Sequence, residues 1–465
     1  MPAASRREET DLHRAIESAA SAIDADVIAD RRAVHRHAEA GWTEYWTTSL
    51  IAKRLEELGY ETLVGRRVCA SESRMGVPAE EALEAHRKRA EAQGADPKLL
   101  ESMRGGFTGA IGERSHSKGP VIALRVDIDG LDIREDRTTD HRPAREGFAS
   151  INDGASHACG HDGHVAIGLG VARVLAELPA PLAGTVRLIF QPADEGVRGA
   201  RSIGMAGHLA DADYVLGCHL LAGWAVGELA PGLGGYAATR KFDVAFFGEA
   251  AHAGALPEGG RNALLAAATA ALHLHALPRH HAGFTRVHVG RMEAGTGRNV
   301  IPDRALLIAE VRGGTGELCE SMYERAVRVV KSAAVMYECD AEIHPMGQAG
   351  SAESDPTLAK QVRTSAGRAG RFTFHDVSAV GGSEDFVEMM RAVQAHGGLA
   401  ANIGIGADFH GTRRDDADRS RVLAPHSPTF DFDERGLGVG VRVLSHLAVD
   451  LAAAWRAEEE GGHAR

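Results

Sequence analysis

Between residues 236 and 348 the hydrophobic pattern changes period four times, and no other feature of the 465-residue chain restricts its fold as much. TRKFDVAFFG alternates as a strand, and NALLAAATAALHLHAL reads as a helix. TRVHVGRM and ALLIAEVRG are two further strands, LCESMYERAVRVVKSAAVMY is a second helix and AEIHPMG a last strand. The order β-α-β-β-α-β is a complete ferredoxin-like unit. A complete unit in mid-chain must interrupt something else. Its flanks read as one α/β layer structure, with strands at 121–129, 185–191, 213–220 and 400–406 and apolar helices at 165–178 and 438–455. The expected architecture is therefore two-domain α/β. A mixed α/β catalytic domain, helices on both sheet faces, spans 1–235 and 349–465, and the inserted unit spans 236–348 as a lid. A polar stretch at about 66–118 reads as an insertion ahead of the first clear strand.

Chemistry-bearing residues collect at the ends of the predicted strands. The first runs into Asp127 and Asp129, the second into Asp194 and Glu195, and the third into His219, while HACGHDGH (157–164) forms a turn into a helix. Open α/β sheets place their sites outside the carboxyl ends of the strands, so these residues are expected to share one crevice. Cys159, His161, a glutamate and a further His make an N/O/S donor set suited to Zn²⁺ or Mn²⁺. Adjacent carboxylates allow one to hold metal while the other moves a proton. Taken singly, each motif has a plainer reading: a buried thiol, a helix cap, a satisfied core histidine. Their joint occurrence at successive strand ends favours the metal site.

Lys+Arg 52 against Asp+Glu 64 leaves a net charge of −12, the reverse of a nucleic-acid binder. No run of 18 apolar residues suggests a membrane span. Five scattered cysteines are no disulfide framework, and the N-terminus is charged without an apolar signal core, so the expectation is a cytoplasmic protein.

HACGHDGH, QPADEGVRGA, GCHL, AHAGALPEGGRNALLAA, GTGRNVIPDRA, GGSEDF and HSPTFDFDE, in that order, resemble the amidohydrolase branch of the M20 metallopeptidase family. The resemblance covers roughly residues 30–450 and implies a catalytic domain with two divalent metal ions, Zn or Mn, and a lid that mediates dimerisation. Carried over by position, it makes Cys159, His161, Glu195, His219 and His426 metal ligands and Asp194 the general base, where the family usually carries Glu. It implies that His252 reaches the site of a neighbouring copy and polarises the scissile carbonyl, and that Asn299 and Arg312 hold a substrate carboxylate. Asp127 is read as orienting a ligand His, with a strand cap as the alternative. His157 and His164 flank the ligands without joining them, Ser383, Glu384 and Asp385 shape a nearby loop, and Cys218 faces the core.

The implied reaction is metal-dependent hydrolysis of the amide of a small N-acyl amino acid. Segments 68–113 and 141–154 are most similar to members acting on p-aminobenzoyl-glutamate. N-acetyl, N-benzoyl and indole-acyl amino acids are the alternatives, as is a weakly active metal-binding subunit supporting a paralogue. The implied partner is a second copy, giving a homodimer, or a homologous chain in a heterodimer.

Overall fold

The computed structural model describes residues 3–377, 382–409 and 424–462. Among these the strands are β1 (Glu61–Val64), β2 (Ala110–Ser115), β3 (Val121–Asp127), β4 (Thr185–Gln191), β5 (Tyr214–Ala225), β6 (Glu228–Ala230), β7 (Ala238–Phe247), β8 (Thr285–Ala294), β9 (Arg304–Gly313), β10 (Asp340–Ala349), β11 (Thr373–Phe374) and β12 (Leu399–Asp408). They form an eight-stranded sheet in the order β1-β2-β4-β3-β5-β12-β6-β11 and a four-stranded sheet in the order β10-β7-β9-β8. The centre of the larger sheet, β4-β3-β5-β12, is parallel. β1 and β2 add an antiparallel edge, and β6 runs antiparallel to β12.

Strand alternation sorts the apolar residues into two layers. Ile122, Leu124 and Val126 of β3 join Cys218 of β5 and Ile403 of β12 under the helices His161–Ala176 and Arg435–Gly462. Ala123, Ile189 and Val215 face the other way, under Ala200–Met205 and Phe386–Gln394. Within the last helix, Arg435–Arg456 is long and apolar enough to cross a bilayer, but 72% of its apolar window is buried here as a core helix.

The four-stranded sheet carries the expected unit in full. β7 pairs antiparallel with both β9 and β10, β8 pairs with β9, and the helices Ala263–His275 and Gly316–Met336 pack with it in one core. Each helix starts on a side-chain cap, Asn262 Oδ1 accepting from Leu265 N at 3.1 Å and Thr315 Oγ1 from Leu318 N at 3.3 Å. Such caps are each worth about 1 kcal/mol.

Two expectations change. The polar stretch does not precede the first strand: it lies between the paired strands β1 and β2, and AIGERS inside it is β2. Its first half is buried throughout and its outer end is exposed, which leaves no alternation to read. The third predicted strand does not stop at 220 either. β5 runs on to Ala225 because β12 continues to pair with it, His219 lying opposite Gly404.

Candidate metal centre

β3 pairs with β5 only as far as Arg125 opposite Gly217, while β12 follows β5 further. A crevice therefore opens beside His219, at the carboxyl end of the sheet. The turn HACGH enters it, and Gly160, at φ 92°, takes the left-handed conformation that starts the helix at His161. His161 Nδ1 lies 2.8 Å from the carbonyl oxygen of Asp129, and His219 Nδ1 lies 2.8 Å from that of Leu220. A carbonyl only accepts, so both rings carry a proton on Nδ1, and Nε2 is the nitrogen left to face the crevice. This is the arrangement in which a histidine ligates through Nε2 with its other nitrogen anchored.

The second half of the centre lies on the turn after β4. Asp129 accepts from the backbone N–H of Asp194 at 3.1 Å and of Glu195 at 3.0 Å, and Glu44 accepts from that of Ala193 at 2.8 Å. His426 is reached from the far end of the chain. Its backbone N–H donates to Ala158 at 2.7 Å, its φ is 62°, and its Nε2 lies 3.2 Å from Glu195 Oε1. Ligand atoms of Cys159, His161 and His219 fall within 4.8 Å of one another, as do those of Cys159, Glu195 and His426. Cys159 is common to both groups. His161 Nε2 is buried with no hydrogen-bond partner, and Glu195 Oε1 has only the His426 ring beside it. Orphaned atoms of this kind are costly unless something else satisfies them. A thiolate, imidazoles and a carboxylate with free donor atoms fit one or two divalent ions of the Zn class.

Burial would push the Cys159 thiol up, and so would the Glu195 charge. The neighbouring His161 and His219 rings, when protonated, outweigh both and bring it to about 6. Burial pushes Cys69 and Cys218 up to about 12.

Sequence reasoning missed the group at the centre of the acidic side. Arg125 is fully buried on β3, with Nη1 2.8 Å from Asp127, Nη2 2.5 Å from Asp194 and 3.2 Å from Asp385, and Nε donating to Gln191 at 2.7 Å. Glu384 lies 3.3 Å from the same Nη2. Burial would raise the Asp194 carboxyl, but the Arg125 charge holds it well below the usual carboxylate range. Glu384 goes the other way, to about 8, through burial and the Asp194 charge. Asp194 is thus ionised beside a Glu384 that keeps its proton. Ser383 is anchored through its hydroxyl to Ala237 O at 2.6 Å; Gly381 lies outside the described residues.

The remaining residues fall as follows. Asp127 makes its short contact, 2.5 Å, with His164 Nδ1 and lies 3.7 Å from His161, which is anchored by Asp129. His164 is buried and accepts from Leu220 N at 2.9 Å, so it braces the strand that carries His219. In the lid, His252 and Asn299 are neighbours: Ala253 N donates to Asn299 O at 3.0 Å. His252 Nδ1 accepts from Gly254 and Ala255 N–H at 3.2 and 3.0 Å, which leaves the ring proton on an exposed Nε2. Arg312 is not with them. It pairs with Glu310 at 2.8 Å, opposite Thr239 at the other end of the β7–β9 ladder from Arg304 and Phe247. Eight residues at ~3.4 Å each separate the two ends by roughly 27 Å.

Residues 123–450 match the model of peptidase family M20/M25/M40. The chain is 44% identical over 424 residues to the indole-3-acetyl-aspartic acid hydrolase of Enterobacter agglomerans, and 42% identical over 424 residues to one subunit of the p-aminobenzoyl-glutamate hydrolase of Escherichia coli (strain K12). Each alignment covers 90% of this chain and 94% of the relative. The crystal structure of the aminobenzoyl-glutamate utilization protein from Klebsiella pneumoniae superposes with TM-score 0.78 at 39% identity, covering 94% of this chain and 98% of that one. A dinuclear metal binding peptidase of the M20 family from Bacillus subtilis gives TM-score 0.61 at 28% identity, covering 92% and 98%. The chain belongs to this family of metal-dependent hydrolases. Its fold is the two-domain fold of the M20 peptidases.

Proposed function

We propose that the chain hydrolyses the amide bond of a small N-acyl amino acid, p-aminobenzoyl-glutamate first among candidates, releasing p-aminobenzoate and glutamate. The observation that carries this reading is the crevice in which two donor groups share Cys159 and include the orphaned His161 Nε2, beside an ionised Asp194. Cys159, His161 and His219 would hold one divalent ion, and Cys159, Glu195 and His426 a second. Zn²⁺ suits the thiolate and imidazoles, and Mn²⁺ is the alternative. Bound there, the ions supply Lewis-acid activation of water and of the amide carbonyl.

The chain's own residues do the rest. Asp194 accepts the proton of the attacking water and returns it to the departing amine nitrogen. Arg125 keeps that carboxylate charged and fixed. His252 Nε2–H is a donor free to hydrogen-bond the carbonyl oxygen as charge develops on it. Asp129 holds His161 and the ligand turn, and Asp127 holds His164, which braces the strand of His219. With metal loaded, the purified chain should cleave p-aminobenzoyl-glutamate faster than N-acetyl, N-benzoyl or indole-acyl amino acids. Asp194→Ala should keep its metal and lose about 10²–10⁴-fold in turnover. A wild-type chain that binds metal yet turns over none of these amides sinks the reading, and supports the alternative of a chain serving an active paralogue.

The lid, residues 236–348, would join two copies of this chain. It could equally join one copy to a homologous partner, since the Escherichia coli relative is itself named as one part of a multi-chain hydrolase. The separation of His252 and Asn299 from Arg312 supports a dimer, because one small amide cannot touch both ends of one lid. In a dimer, His252 and Asn299 of one copy would complete the other's site, leaving Arg312, once released from Glu310, to take a substrate carboxylate bidentately. Mixing inactive His252→Ala and Glu195→Ala chains should then restore activity in hybrid dimers. Mixed dimers that recover none rule out the trans role. The absence of a disulfide framework among the free cysteines supports a reducing, cytoplasmic location.

A further inference from the structure

The turn that carries Asp194 and Glu195 is held in an unfavourable shape. Ala193, Gly196 and Val197 have φ of 52°, 85° and 59°, so two residues with side chains sit in the left-handed region within five positions. Each such residue is strained and persists only where its surroundings over-determine it. Asp129 and Glu44 fix the N–H side of the turn. The carbonyl side is held differently. Arg198 folds back, its Nε donating to Glu195 O at 2.7 Å, and its Nη1 reaches out to Gly76 O at 3.2 Å. Gly76 belongs to the polar insertion between β1 and β2, for which the proposed chemistry has no use.

The insertion presents that carbonyl from a fixed frame. Trp42 Nε1 donates to Met75 O at 2.8 Å, and Arg74 donates to Gly106 O at 2.7 Å and Gly105 O at 3.0 Å while stacking on Phe107. Gly76 itself, at φ 57°, leaves no room for a side chain: a Cβ would lie 2.8 Å from Met346 O and 2.9 Å from Arg198 Cδ. Met346 is in β10, where the register shifts, and the next residues close the contact, Gln348 N donating to Val197 O at 2.9 Å. Insertion, ligand turn and lid strand thus meet at one point.

We propose that Arg198 is a positioning residue for the Asp194–Glu195 turn, and that the 66–118 insertion serves the site by supplying the Gly76 carbonyl that sets the Arg198 guanidinium. The inference rests on the reading of Glu195 as a metal ligand. Loss of an outer partner of a ligand typically costs 10–100-fold in metal affinity or activity.

The test is Co²⁺ titration of the full chain, followed by its visible absorption, with kcat and KM measured beside it. In Arg198→Met the dissociation constant of one of two Co²⁺ equivalents should rise about 10–100-fold. The thiolate-to-cobalt band of the equivalent held by Cys159, His161 and His219 should remain. KM should stay near wild type while kcat falls. Gly76→Ala, which keeps Arg198 but displaces its partner, should move the same equivalent in the same direction by less. It decides the question if Arg198→Met fails to fold. Wild-type affinity for both equivalents in a folded Arg198→Met chain, or in Gly76→Ala when only that variant folds, overturns the proposal. A wild-type chain that takes up no Co²⁺ overturns instead the reading of the metal centre on which it rests.

Discussion

Cys159→Ala is expected to lose metal from both halves of the centre and to fall below detectable turnover. Removing any other ligand spares the group to which that ligand does not belong, whereas Cys159 belongs to both. Metal content by mass spectrometry, with Cys69→Ala as the control for a buried thiol, checks this. A Cys159→Ala chain with full metal and normal rate removes the thiolate from the centre. The metal-free wild-type chain offers a second reading of the same residue. With its thiol near 6, Cys159 is mostly thiolate at pH 7, while Cys69 and Cys218, near 12, are buried and neutral. Iodoacetamide should therefore label Cys159 first, and bound metal should protect it.

Arg125→Met is expected to destabilise the folded chain by about 3–5 kcal/mol, because it leaves buried carboxylates without their counter-charge. The sign of its pH dependence follows from the groups around it. In the wild type, Asp127 and Asp194 are held well below the ordinary carboxylate range, so they contribute stability above that range and lose it on acidification. Without Arg125, burial raises the Asp194 carboxyl above its unfolded value, while His161 and His164 still hold Asp127 down. The Asp194 contribution then falls as pH rises. The deficit against wild type should be larger at pH 8 than at pH 5, measured by urea unfolding. The same change strengthens Asp194 as a base, so the acid limb of the rate profile should move to higher pH in whatever fraction remains active. Equal stability of the two chains at both pH values means that the guanidinium does not neutralise this cluster.

How far the sequence speaks depends on where each residue's partners lie. The lid was legible because period 2 in TRKFDVAFFG and period 3.6 in the helices are local signals. Cys159, His161, Glu195 and His219 were legible because strand ends in an open sheet converge whatever their spacing. Arg125 was not. Within VIALRVDID it looks like one polar residue in a buried strand, and its meaning comes from Asp194 and Asp385, 69 and 260 positions away. Asp129 was seen as a strand-end acid, yet its grip on two backbone N–H groups and one imidazole cannot be read from residue type. β2 was lost because its first half is buried throughout and its outer half faces water, so it carries no alternation. β5 was ended at 220 instead of Ala225 because β12, which extends it, lies far downstream.

That last pairing has a consequence for how the protein is made. β12 sits in the middle of the eight-stranded sheet, between β5 and β6, yet among the described strands it is the last to be synthesised. Until Leu399–Asp408 leaves the ribosome, β5 has a bare edge lined by Val215, Leu216, Cys218 and Leu220. The whole lid is translated while that edge waits. Nascent or prematurely terminated chains thus present an unpaired apolar strand, the feature that recruits chaperones and seeds aggregation. Truncation ahead of Leu399 should accordingly harm recovery of soluble chain, while a chain that ends beyond Asp408 keeps the β5–β12 pairing.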